Sequence, residues 1–63
     1  MTNDKMNDKQ REALRNLAFR YKVDFDESKF RVYKQDSTMM PGWAEGWVGP
    51  IYVGCSPEGQ IHS

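Results

Sequence analysis

The stretch Ile51-Tyr52-Val53-Gly54-Cys55-Ser56-Pro57-Glu58-Gly59-Gln60-Ile61-His62-Ser63 decides the fold of this chain. Pro57 presets φ for the second position of a turn and Gly59 accepts positive φ without steric cost, so Ser56 to Gln60 reads as a type I turn closed by a glycine bulge. Such a three-residue loop sets Ser56 opposite Gln60, Cys55 opposite Ile61, Gly54 opposite His62 and Val53 opposite Ser63. Side chains alternate along a strand, which places Ile51, Val53, Cys55 and Ile61 on one face and Tyr52, Gly54, Ser56, Gln60 and His62 on the other. That register sorts apolar from polar residues. A four-residue loop would mix them.

Upstream, Gly42-Trp43 and Gly46-Trp47 repeat at a spacing of four, which keeps both indoles on one side of an extended or a helical segment. The glycines and the Gly49-Pro50 step favour extended, bent backbone, with Pro50 at a strand edge, a strand start or a bulge. The segment therefore predicts a hairpin with a short preceding strand, or a three-stranded meander.

The run Pro41-Gly42-Trp43-Ala44-Glu45-Gly46-Trp47-Val48-Gly49-Pro50-Ile51-Tyr52-Val53-Gly54, followed by Ser56-Pro57-Glu58-Gly59 and Ile61-His62-Ser63, resembles the C-terminus of short uncharacterised proteins encoded by bacteriophages of actinobacteria. The resemblance carries no activity, fold or site residues with it. What it implies is a class, the small phage accessory or host-modulating protein that works by binding a host or phage component in the host cytoplasm.

On the N-terminal side, residues 1 to 6 read as a disordered, frayed end, and residues 7 to 63 as one small domain. Asn7 with Gln10 three residues on forms a capping-box pattern, and Asp8 suits the positive end of a helix dipole. Gln10, Ala13, Leu14, Leu17, Ala18 and Tyr21 then recur on one helical face, so Leu14, Leu17 and Tyr21 are expected in the core. Val23 and Asp24 mark the expected end, with no glycine present for a left-handed cap. Phe19 lies off that face, in line with Arg11 and Arg15 and close to Lys22. A short domain has few large apolar residues to leave in water, which favours a β segment wrapping over Phe19.

Asp26 is placed to cap one helical turn over Glu27 to Lys29, with Phe25 and Phe30 clamping that turn onto the helix. Phe30 and Val32 then alternate with Arg31 and Tyr33 as a half-buried strand would, its basic residues blunting an exposed edge. Gln35 to Pro41 reads as a loop. The predicted fold class is thus α+β, with one N-terminal amphipathic helix packed on a small antiparallel hairpin or meander.

Chemistry is easier to exclude than to find. A single cysteine makes no internal bridge and Met1 to Gln10 is too polar for a leader, so a soluble cytoplasmic protein is expected. Cys55 and His62 fall on opposite hairpin faces and cannot share a metal or a proton. Asp24, Asp26 and Glu27 lack the spacing of a calcium loop, and no phosphate loop, nucleophile elbow or zinc-protease helix is present. The expectation is a non-enzymatic protein without cofactor or metal. Its candidate partner-binding residues are Trp43, Trp47, Tyr52, Gln60 and His62, since Trp and Tyr are enriched among interface hot spots. Against this, a small domain must bury most of its large side chains, which points to Trp43 and Trp47 as core. The alternative is nucleic-acid binding through Arg11, Arg15, Phe19, Lys22, Arg31 and Tyr33. Charge speaks for and against it: residues 1 to 34 hold all nine Lys and Arg against six acids, whereas residues 35 to 63 hold three acids and no base. A homo-oligomeric structural subunit is the third reading.

Overall fold

The capping-box pattern at Asn7 is realised in full in the computed structural model, which describes residues 5–62. Asn7 Oδ1 accepts from the Gln10 N–H at 2.8 Å and Gln10 Oε1 accepts from the Asn7 N–H at 3.0 Å, starting helix α1, Asp8–Tyr21. Two N–H groups that a helix start leaves orphaned are thereby satisfied. Leu14 and Ala18 are buried against the sheet; full burial of Leu14 contributes about 2 kcal/mol.

The helix ends through a left-handed residue that is not glycine. Lys22 takes φ 58° and ψ 42°, while Val23 N–H donates to Ala18 O at 3.0 Å and Lys22 N–H to Phe19 O at 3.1 Å, the paired bonds of a Schellman motif. An L side chain in this region costs about 1 kcal/mol relative to glycine. Lys22→Gly is therefore expected to raise the urea midpoint by an amount equivalent to about 1 kcal/mol, and Lys22→Val to lower it. A glycine variant no more stable than the parent would contradict this account of the cap.

After α1, Asp26 Oδ1 accepts from the Ser28 N–H and caps a single 3₁₀ turn over Glu27–Lys29, as its position predicts. Four strands follow: β1 (Phe30–Val32), β2 (Ala44–Val48), β3 (Ile51–Cys55) and β4 (Ile61–His62). They form one antiparallel meander in the order β1-β2-β3-β4, the strand expected at Phe30 and Val32 pairing with the three of the C-terminal segment. Between β2 and β3 the loop is only Gly49-Pro50. Gly49 has φ 59° and proline holds φ near −65°, which fits a type II′ turn, since type I′ would need positive φ at both positions.

The closing hairpin has the register expected of it. Cys55 pairs with Ile61 and Gly54 with His62, Ser56 N–H donates to Gln60 O and Gly59 N–H to Ser56 O (both 2.9 Å), and Gly59 has φ 91°. Ser63, expected opposite Val53, lies outside the described residues.

Fully or nearly fully buried Met6, Leu14, Ala18, Ala44, Val48, Val53 and Cys55 form the core, with Ala13, Leu17, Val23, Phe25, Phe30, Val32, Ile51 and Ile61 packed around it. The Phe25 and Phe30 rings meet at 5.6 Å. Met6 corrects the expectation of a frayed end through residue 6: it is 3% exposed and belongs to the core, whereas residues 1–4 lie outside the described residues. Two further corrections concern α1. Tyr21 is 49% exposed and Phe19 85% exposed. The meander lies on one side of the helix instead of wrapping it, so Phe19 on the far side and Tyr21 at the last turn have nothing to cover them. Among the described residues, no helix is long and apolar enough to cross a membrane.

Candidate binding face of the sheet

Because α1 covers one side of the sheet, every second strand residue is turned to the other. That outer face carries Arg31 from β1, Glu45 and Trp47 from β2, Tyr52 and Gly54 from β3 and His62 from β4, in the cross-strand rows Arg31-Glu45-Gly54-His62 and Trp47-Tyr52. Trp43 and Tyr33 extend it just beyond the ends of β2 and β1, joined by the bond from Tyr33 N–H to Trp43 O at 2.7 Å.

The aromatic rings on this face stand in two pairs. Trp47 and Tyr52 meet edge to face, with centroids 5.2 Å apart at 65°, and remain 50% and 47% exposed. Trp43 packs on His62 at 5.2 Å and 48°. Its indole lies over Gly54, where an added Cβ would sit 3.6 Å from Trp43 Cε3, at ordinary van der Waals distance. Between the pairs, Glu45 Oε2 accepts the Tyr33 hydroxyl at 2.8 Å. The Tyr52 hydroxyl titrates above the ordinary tyrosine range, first through partial desolvation and then through the Glu45 carboxylate beside it.

Trp43 and Trp47 are thus not core, which corrects the expectation drawn from domain size. The core closes with small and aliphatic side chains on the α1 side, and the parity of β2 turns both indoles away from it. Of the five candidate contact residues, Trp43, Trp47, Tyr52 and His62 share the outer face. Gln60 is exposed in the hairpin loop beside Ser56, whose Oγ accepts its N–H at 3.1 Å. Glu45 escaped the sequence reading, although its place between Trp43 and Trp47 at two-residue steps was the signal.

The alternative, nucleic-acid set does not form one surface. Arg31 and Tyr33 lie on the outer face, while Arg11, Arg15, Phe19 and Lys22 belong to the helix on the opposite side of the sheet. Arg11 is engaged by Glu27 at 3.0 Å and by Asp8 at 3.3 Å, and the hydrogen bond to Glu27 is the main cause holding its guanidinium above the usual arginine value. Arg15 shares an open hollow of about 370 Å³ with Asp8, Arg11, Glu12 and Asn16, whose mixed charges do not select a phosphate. Cys55 is buried on the core side, where desolvation pushes its thiol up, and His62 is on the outer face, so the two stand apart as the register requires. Among the described residues, no group of three or more His, Cys, Asp or Glu is placed to hold a metal ion.

No protein-family model, curated protein or solved structure matches the chain.

Proposed function

We propose that this chain is a non-enzymatic protein-binding module whose contact surface is the outer face of its meander, built on Trp43, Trp47, Tyr52 and His62 with Tyr33, Arg31 and Glu45 between and beside them. The carrying observation is the Trp47–Tyr52 pair, two large rings held edge to face on a rigid sheet and left half in water although the core closes without them. Large rings fixed in place add contact area with little loss of rotamer freedom, which is why Trp and Tyr dominate binding hot spots. Arg31 and Glu45 balance each other's charge on this face, which favours a protein segment over a polyanion. The resemblance of residues 41 to 63 to phage-encoded proteins directs the search for the partner toward a host or phage component.

Selection of peptides from a random displayed library on the immobilised chain tests this reading. Trp47→Ala is expected to weaken the selected peptides at least tenfold while leaving the far-ultraviolet circular dichroism and melting temperature close to the parent's, because a half-exposed outer ring contributes little to the core. A library that yields no binder, or binders indifferent to Trp47→Ala, would overturn it. Binding of oligothymidylate with affinity falling steeply in salt would replace it with the nucleic-acid reading.

A further inference from the structure

Resting on that reading, we infer that the segment this face accepts is a proline-bearing stretch in the polyproline II conformation. Size is the first argument. Four strands at about 4.8 Å spacing and five residues at about 3.4 Å rise cover roughly 300 Å² in plan. That plan area is under half of the ~800 Å² per partner of a standard interface between globular proteins. A second copy of this chain would need contacts beyond the face, whereas an extended segment of a few residues matches it in size.

Charge is the second argument. Besides the imidazole of His62, the face offers one cation, Arg31, and one acid, Glu45, whose Oε2 already accepts from the Tyr33 hydroxyl. An uncharged ligand meets no unbalanced charge there, whereas a strongly acidic or basic one does.

Spacing is the third. The Trp47–Tyr52 pair sits over β2 and β3, and the Trp43–His62 pair sits over the Gly54–His62 row, two residues along and one strand across. Those offsets, roughly 7 Å and 5 Å, separate the two ring pairs by roughly 8 Å. A polyproline II helix repeats every three residues, roughly 9 Å, so prolines three apart project from one side at a matching interval. Each pyrrolidine then packs against one ring pair. The intervening carbonyls, which have no internal hydrogen bonds in this conformation, accept from Arg31, the Tyr52 hydroxyl or an indole N–H. Because the ligand is already extended, little ordering entropy opposes the contact.

The test is titration of the whole chain with decaproline, followed by tryptophan fluorescence and by the two indole N–H resonances, against a length-matched Gly/Ser peptide. The expected result is saturable binding that shifts both indole signals, is at least tenfold weaker in Trp47→Ala and in Tyr52→Ala, and changes less than twofold between about 50 and 200 mM salt. No saturation with decaproline, while the displayed library yields proline-free peptides that require Trp47, would overturn this inference and leave the binding module standing. Failure of both probes would remove the two together.

Discussion

Gly46→Ala is expected to destabilise the domain by about 3 kcal/mol, the largest effect of any single methyl in this chain. Gly46 is the middle residue of β2, paired with Phe30 on one side and Val53 on the other, and faces the core. A Cβ there would lie 2.4 Å from Lys29 O, 2.7 Å from Phe30 Cγ and 2.8 Å from Phe30 Cα. Two of the three are backbone atoms, so no rotamer change relieves the overlap. β1 must move away from β2, and because β1 is a three-residue edge strand, little else holds it in place. A domain of this size has a total stability of roughly 3 to 9 kcal/mol, so the variant loses between about a third and all of it. Gly54→Ala is the control, since its Cβ meets nothing closer than 3.6 Å on the open outer face and should change stability by less than about 0.5 kcal/mol. Urea melts of both variants decide the matter: equal midpoints would show that the close approach of Phe30 does not govern position 46.

Gln10→Met should cost about 2 to 4 kcal/mol although it nearly conserves volume. Gln10 is 1% exposed. Its Oε1 closes the capping box, while its Nε2 donates to Gly42 O at 2.8 Å and to Cys55 O at 3.1 Å. One amide thereby satisfies the helix start, the loop entering β2 and the end of β3, with the Asn7 Nδ2 bond to Pro57 O at 2.9 Å beside it. Methionine removes the three bonds of the Gln10 side-chain amide and strands two buried carbonyls. Gln10→Glu separates hydrogen bonding from packing. A carboxylate would turn lone pairs toward both carbonyls, while its protonated form restores one donor. That variant binds a proton more tightly folded than unfolded, so its stability falls as pH rises from about 4 toward 7. A Gln10→Glu protein equally stable at both values would contradict the assigned bonds.

The hairpin at 56 to 60 and the cap at Asn7 were legible because each rests on residues within a few positions, Pro57 with Gly59 and Asn7 with Gln10. What was not legible depends on partners far along the chain. Nothing near Gln10 announces Gly42 or Cys55 as acceptors. Lys22 enters the left-handed region only because Val23 and Ala18 both seat in the core. Periodicity alone points Tyr21 inward, and the smallness of the domain points Phe19, Trp43 and Trp47 inward; neither measures how much ring surface the fold can cover. A single helix covers one side of four strands and is itself covered on one side only, so Trp47 on the outer face and Phe19 and Tyr21 on the helix are left to water, while Trp43 is half-covered by Gly54 and His62. The candidate face was therefore half visible, its indoles and Tyr52 named from composition, its Glu45 and the inclusion of Arg31 and Tyr33 emerging only from strand parity.

The anchoring of Asn7 and Gln10 to Gly42, Cys55 and Pro57 has a consequence for synthesis on the ribosome. The helical segment emerges first, but the carbonyls to which the Asn7 and Gln10 side chains are tied are translated more than thirty residues later. Short isolated helices are marginal in water, so the nascent α1 should flicker until residue 57 clears the exit tunnel. The apolar faces of helix and meander cover each other, so the two settle together once both are free.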